Sequence, residues 1–346
     1  MNNQSSIISQ LSQLKGKTIA IVYIFENEDA AGFQHYWVWK SDIISGWLNA
    51  VQEIGCLPFI LDVRTFIQKA MNRDLPHIDY VINLNCGSCE LSAMSLVPAV
   101  CSFLAVPCIP CDAASIVISE NKSISNIIAR AHKMNVPNDL AWNSSNGIYR
   151  PLNLGSSIGV TIGHTESADP KGTYQEFIPG YDITVPIIYN PCIGDIDMLP
   201  PIIYIPENLD PYWIYDEQEK IKDNGFATYP MTKIENAAKE IILKFARAIP
   251  IKTFGRIDMR FKSFGEKLSP EVIYDTLTAN DLYFIEINSM PTIEKEDSFE
   301  YAINAIRSDS QHSLYRYISA YYETFSNPSV NGILLASAIL SFTTKC

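Results

Sequence analysis

The sequence predicts an α/β chain, with an N-terminal doubly wound parallel sheet, a short central subdomain and a C-terminal unit built on a mixed sheet. Three observations carry this. Thr18–Tyr23 is a β-branched, wholly apolar run, the pattern of a parallel strand buried on both faces. Strand and helix patterns then alternate as far as Leu84. Late in the chain, Gly255–Phe261 and Phe284–Asn288 alternate polar and apolar residues with the period of an extended strand.

After the first strand, the polar loop Glu26-Asn27-Glu28-Asp29 leads into an amphipathic stretch, Val38–Ile54, with Gly55 placed to close it. Leu57–Leu61 reads as a strand, Thr65–Met71 as a helix, Tyr80–Leu84 as a third strand, Leu91–Leu104 as a helix and Val106–Pro110 as a short buried strand. Ligands of such sheets bind beyond the carboxyl ends of the strands, which puts Glu26, Glu28 and the Asn85–Glu90 loop at a substrate face. No Gly-x-Gly-x-x-Gly follows the first strand, so nothing supports a dinucleotide-binding fold.

A new unit begins near Ala113, where Ser119-Glu120-Asn121-Lys122 precedes a helix running to about Met134. Gly155-Ser156-Ser157-Ile158-Gly159-Val160 then joins two strands by small residues whose backbone N–H groups and hydroxyls can approach an anion. An ordinary Gly-Ser hairpin shows the same pattern. The strand Thr173–Ile178 reaches Pro179-Gly180-Tyr181-Asp182 and another strand, Ile183–Ile188, and the helix Ile234–Ala248 precedes the strand of Arg256. Val330–Phe342 is apolar but too short to span a bilayer, so it is expected to pack as a terminal helix. The expected units are 1–112, 113–183 and 184–346.

With 47% hydrophobic and 18% charged residues the chain is globular, and its net charge of −12 argues against a nucleic-acid partner. An acidic protein that handles a nucleotide needs a few placed cations and metal ions instead. Met1–Gly16 does not read as a secretory signal, so the cytoplasm is the expected compartment, without a membrane partner. Cys86-x2-Cys89 and Cys108-x2-Cys111 have a spacing that can hold zinc, although a buried cysteine also serves as a small apolar residue.

On the late strands, Arg256, Asp258 and Arg260 point one way while Ile257, Met259 and Phe261 point the other; Glu286 and Asn288 likewise share a face. If the two strands pair, two acids, an amide and a guanidinium merge into one cluster, an oxygen-rich set suited to Mg2+. An edge hairpin with a solvated acidic face would give the same pattern.

Taken in order, these motifs resemble the ATP-grasp fold and, within it, the D-alanine:D-alanine ligase family, over about residues 18 to 305. The resemblance implies an ATP-dependent ligase that joins a carboxylate to an amine through an acyl phosphate, using ATP and two Mg2+ ions, with Mn2+ as a substitute. It implies that Asp258 and Asn288 each bind one ion, that Glu286 bridges both, and that Arg256 stabilises the charge developing on the reacting carbonyl. It places Lys122 and Lys220 on the phosphates and the loop with Ser156 and Ser157 over them. Ser156 is the substrate-facing serine, and Gln175, Glu176, Phe177 and Ile178 form the adenine-holding linker.

Departures from the family's pattern are informative. Arg150 stands for a lysine at the phosphates and Asp182 for the glutamate that holds the ribose, while the central unit is short. Cys86-Gly87 replaces a histidine-glycine pair in the first-substrate pocket, and Ile221 replaces a tyrosine. Thr292 sits where a glycine N–H usually completes the oxyanion site, and Ser298 resembles, one residue out of register, the serine that grips the second substrate's carboxylate. The implied substrates are small carboxylates and amines, amino-acid-like but not D-alanine. An authentic D-alanine:D-alanine ligase and a non-catalytic nucleotide-binding protein are the alternatives, and the family's habit implies a homodimer.

Overall fold

The computed structural model describes residues 2–24, 40–86, 93–141, 144, 146–152, 155, 157, 159–163, 172–215, 225–231, 233–262 and 277–343. The expectations attached to Glu26, Glu28, Cys89, Ser156, Lys220 and Ile221 lie outside these residues. Within them, β1 (Thr18–Tyr23) is flanked in parallel by β2 (Leu57–Asp62) and β3 (Tyr80–Leu84), with β4 (Cys108–Ile109) outside β3. Ile19 and Ile21 of β1 pack toward α2 (Ser41–Glu53), whereas Ala20 and Val22 pack toward α3 (Val63–Asn72) and α4 (Leu96–Phe103). Both faces of the strand are therefore covered, which is why its sequence carries no polar alternation.

Local chemistry sets the helix ends. Asp62 starts α3 by accepting from Arg64 N at 2.8 Å and Thr65 N at 3.3 Å. The helix expected over Leu91–Leu104 begins later, at Leu96 after a 3-10 turn. Pro98 accounts for this: it has no N–H to donate, so it is tolerated in a helix's first turn and not in its interior. A helix absent from the sequence reading, α1 (Asn2–Ser12), buries Ile7 and Leu11 on one face of a segment that is otherwise polar.

The chain continues through α5 (Ala113–Glu120) and α6 (Lys122–Ala131). Asn121 separates the two helices and caps the second, its Oδ1 accepting from Ile124 N at 3.1 Å. A three-stranded antiparallel sheet follows, with β5 (Gly147–Pro151) between β6 (Thr161–Ile162) and β7 (Gly172–Glu176). The largest sheet contains β8 (Gly180–Asn190), β9 (Asp195–Met198), β10 (Ile202–Pro206), β11 (Phe226–Pro230), β12 (Phe254–Lys262) and β13 (Leu282–Asn288). Its order is β11-β10-β8-β12-β13, with β9 also on β8, and its pairs are antiparallel. The expected boundary between 183 and 184 falls inside β8, which belongs whole to this sheet.

The two faces of that sheet differ. Ile183, Val185, Ile203, Ile257, Met259 and Ile287 form a core with α7 (Asn236–Ala248). Asp182, Thr184, Tyr204, Arg256, Asp258, Glu286 and Asn288 occupy the other face, as period two requires.

Three helices close the chain: α8 (Ser298–Arg307), α9 (Tyr315–Thr324) and α10 (Val330–Thr343). Every residue of α10 from Gly332 to Ser341 is buried, because the helix is wedged between α2 and β8. A helix enclosed on all sides needs apolar residues all round. Among the described residues no helix is long and apolar enough to cross a membrane. Its polar exceptions are paired: Ser337 Oγ donates to Tyr189 O at 2.6 Å. At the junction with α2, Glu53 accepts from Tyr321 OH and Ser329 Oγ, each at 2.5 Å, and from Ser329 N at 3.1 Å.

Gly332 is where this junction has no spare room. A Cβ added there would lie 2.1 Å from Tyr321 Oη and 2.6 Å from Glu53 Oε1. Gly332→Ala is expected to cost about 1–3 kcal/mol by overpacking. Urea unfolding should show a lower midpoint at unchanged slope, and parental stability would show that the junction yields freely.

Candidate active site

The site begins with pairing. β12 and β13 place Arg256 opposite Asn288 and Asp258 opposite Glu286, so all four side chains share one face. The register shifts immediately after Asp258, where Met259 pairs with Phe284 and Ile285 is left over. This bulge frees the Ile285 carbonyl, which accepts from Arg150 Nη1 at 2.7 Å. A local irregularity of β13 thus ties the three-stranded sheet to the large one.

Asp258 is the most heavily bonded acid of the cluster. It accepts from Thr184 Oγ1 at 2.8 Å, from Arg256 Nε and Nη2 at 3.0 Å each, and from Asn288 Nδ2 at 2.7 Å. Burial works against the charge of Arg256, yet Asp258 keeps the guanidinium above its ordinary pKa, with Tyr204 and Glu286 adding to the effect. Glu286 pairs with Lys122, Oε2 to Nζ 3.1 Å. Lys122 opens α6 and is only 6% exposed. Burial would raise the Glu286 carboxyl, but Lys122, then Arg150 and Arg256, hold it down at about 2.

A third acid stands here that the sequence reading passed over. Burial lifts the Glu120 carboxyl to about 7, Lys122 opposing and Glu286 adding to the rise. The signal for it was its place in Ser119-Glu120-Asn121-Lys122, two residues before the lysine. The end of α5 is fixed against the residue that follows β13 by the hydroxyl pair Ser119–Ser289, 2.6 Å apart and buried.

Asp258, Glu286 and Asn288 offer hard oxygen donors on one partly exposed face, a set that fits Mg2+. Among the described residues no group of three His, Cys, Asp or Glu side chains is gathered for a metal, and the third oxygen of this set is that of the Asn288 amide. A half-turn of that amide exchanges its nitrogen for its oxygen. Arg150 carries the matching sign for phosphate. It is 4% exposed, gives Nη1 to Ile285 O and Nη2 to Gln175 Oε1, and its buried Nε has no partner among the described residues. An unsatisfied buried guanidinium N–H beside Lys122 and Glu286 is suited to an anionic ligand.

The linker residues are held from behind. Gln175 Nε2 donates to Pro137 O and Asp139 Oδ1, both at 3.0 Å, and Glu176 Oε1 accepts from Asn138 Nδ2 at 3.0 Å. Arg260 then fastens the segment that follows. Its Nε donates to Ile178 O at 3.0 Å, Nη1 to Asp182 at 2.8 Å, and Nη2 to Pro211 O at 3.0 Å and Trp213 O at 2.6 Å. Its guanidinium lies 5.2 Å from the centre of the Phe177 ring, which stacks on Tyr212. Asp182, whose other oxygen accepts from Tyr215 N at 2.8 Å, is thus bound to this chain on both sides.

No family model matches the chain. Over 215 residues it is 25% identical to a D-alanine–D-alanine ligase of Aquifex aeolicus (strain VF5), a match covering 54% of this chain and 64% of that relative. The chain thus spans less than two thirds of the curated relative it matches. Among solved structures, a D-alanine–D-alanine ligase from Bacillus anthracis complexed with ATP superposes with a TM-score of 0.60 at 14% identity, over 95% of this chain and 98% of that one. The VanG D-Ala:D-Ser ligase from Enterococcus faecalis gives 0.57 at 13% identity, over 94% and 100%. The fold is the ATP-grasp fold of the D-alanine ligases.

The remaining expectations can be placed on this ATP-grasp frame. Ser157 is half-buried with φ at +60°, in a loop that also turns through Gly159 at +72°. Cys86 is half-buried against the largest core, and Thr292 is half-buried without a left-handed backbone. Cys108 and Cys111 are buried, burial pushes both thiols up, and Cys108 hydrogen-bonds with Cys101. That partner is not one of the four cysteines whose spacing suggested zinc.

Ser298 stands next to the start of α8. It is 2% exposed, and its buried hydroxyl has no hydrogen-bond partner among the described residues. Half-buried Asp297 precedes it and caps α8, accepting from Phe299 N at 2.9 Å and Glu300 N at 3.1 Å, and from Glu294 N at 3.2 Å. Helix geometry decides this: the N-cap side chain folds back onto the first turn, and the next residue turns inward.

Arg260→Met tests the staple behind the linker. Removing one partner of a part-buried ion pair and several hydrogen bonds together should cost about 3–5 kcal/mol. The expected readout is a lower urea midpoint with faster proteolysis around Pro211–Trp213. Unchanged stability and proteolysis would remove Arg260 from this role.

Proposed function

We propose that the protein is an ATP-dependent ligase that joins a carboxylate to an amine through an acyl phosphate, on amino-acid-like substrates other than D-alanine. The observation that carries this reading is the convergence of Arg256, Asp258, Glu286 and Asn288 on one face, with buried Lys122 and the unpartnered Nε of Arg150 beside it. Carboxylates are poor electrophiles, and ATP with Mg2+ supplies the phosphoryl group that gives the carboxylate a leaving group. Lys122 and Arg150 would hold phosphate oxygens, together with Lys220 and the loop at Ser156 and Ser157. Gln175, Glu176, Phe177, Ile178 and Asp182 would hold the nucleoside. Asp258, Glu286 and Asn288 would hold the ions.

Arg256 has the task that matters most for rate. Its guanidinium is oriented by three hydrogen bonds to Asp258, so its charge is fixed before an oxyanion develops. The backbone N–H at Thr292 would be the second donor. Cys86 supports a first substrate other than D-alanine, since a thiol cannot act as a cationic or two-ended hydrogen-bonding group in place of imidazole. The reading places the protein in the cytoplasm as a homodimer. A nucleotide-binding protein without turnover is the second reading, favoured by the four donors of this chain that already satisfy Asp258.

Asp258→Asn and Glu286→Gln are each expected to lower Mg2+-dependent ADP release by about a thousandfold or more, as loss of transition-state stabilisation. The assay is ADP release with pooled carboxylic acids and hydroxylamine, which captures an acyl phosphate as a hydroxamate. Lys122→Met should chiefly weaken ATP binding in calorimetry. Full ADP release from either acid variant would remove the metal assignment, and ATP binding with no ADP from the parent would favour the second reading.

A further inference from the structure

Away from Lys122, the face that carries Arg256 runs into a group of aromatic rings. Tyr204 of β10 stacks on Tyr215 with ring centres 4.6 Å apart, and Phe226 of β11 meets Tyr215 edge-on at 4.9 Å. Trp213 lies 5.9 Å from both Tyr215 and Phe226. Tyr204 is enclosed, whereas Trp213, Tyr215 and Phe226 keep part of their surface open. Helix α8 packs across β8, β10 and β11, which brings its cap residue Asp297 to these rings. Asp297 is close enough to Tyr204, Tyr215 and Arg256 to act on their charges.

The phosphates belong on the Lys122 and Arg150 side, so an amine must reach the activated carbonyl from the aromatic side. If that amine came from an amino acid, its carboxylate would need a cation or free backbone N–H groups there. The amides at the start of α8 are the natural anion site. Asp297 already occupies them, taking Phe299 N, Glu300 N and also Glu294 N. Among the described residues beside these rings, Ser298 is enclosed and Arg256 is engaged with Asp258. Glu294 adds another negative charge near Tyr215, although Lys40 lies 4.0 Å from it. A fixed carboxylate repels a second one, while aromatic faces and carboxylates both attract an ammonium group.

We infer that the acceptor of this ligase is an amine without a carboxylate, its apolar body lying against Trp213, Tyr215 and Phe226 and its ammonium group facing Asp297. This rests on the ligase reading above. In the transfer, the ammonium group first loses a proton to solvent, and the free amine then forms the C–N bond and passes a second proton to the departing phosphate. The C–O bond to phosphate breaks, and phosphate leaves with the electron pair.

Calorimetry of the full chain with phenethylamine, phenylalaninamide and phenylalanine of either hand tests the inference without a known donor acid. The two carboxylate-free amines are expected to bind at least about tenfold more tightly than phenylalanine. Asp297→Asn keeps the cap oxygen and removes the charge. It should narrow the ratio to about threefold or less, with helix content and melting temperature retained. Tighter or equal binding of phenylalanine to the parent would overturn the inference, as would no binding of any probe at millimolar concentration, or a ratio unmoved by Asp297→Asn. Hydroxamate formation, which needs no larger acceptor, decides the ligase reading separately. Its failure with intact amine discrimination would sink the ligase reading and leave the preference of the pocket standing.

Discussion

Like and unlike charges crowded onto one face of an antiparallel sheet must be neutralised in place, and the pairing of Lys122 with Glu286 is where this protein does so. Glu286, Glu120 and Asp258 would repel one another if the buried lysine and Arg256 were absent. The cations come from different parts of the chain, one from the first turn of α6 and the other from β12. The cluster therefore exists only when α6 is docked against the large sheet, and the same contact sets Lys122 opposite Glu286.

Two arginines make this docking rigid by different means. Arg150 reaches across from the three-stranded sheet to the carbonyl exposed by the bulge in β13, while Arg260 gathers the linker, Asp182 and the Pro211–Trp213 segment around one guanidinium. Guanidinium groups suit both tasks because their donors lie in one fixed plane and stay charged when buried. Helix α10 completes the frame from the other side. It fills the space between α2 and β8, so the N-terminal sheet and the large antiparallel sheet share one apolar core.

Short-range features were legible in the sequence. The alternation in Gly255-Arg256-Ile257-Asp258 and Glu286-Ile287-Asn288 gave the correct faces, and the apolar run of β1 gave a strand covered on both sides. Less was legible where a residue's partner is remote in the chain. Arg260 could be assigned a face but not its four partners, and Glu120 looked like an ordinary residue before a helix. Resemblance pointed to Ser298 beside the start of α8, whereas hydrogen bonding selects Asp297 as the side chain that closes the cap.

By itself the sequence determined the order of strands and helices, the polar and apolar faces of the late strands, and the chemical kinds of ligand available to a cation. Each follows from the backbone's period and from the identity of neighbouring residues. Tertiary structure alone decided the pairing register with its bulge, the cations that hold buried Glu286 near 2, the burial that lifts Glu120 to about 7, and the occupation of the α8 amides by Asp297. These depend on distances between residues far apart in the chain and on exclusion of water around them, quantities that local sequence does not encode.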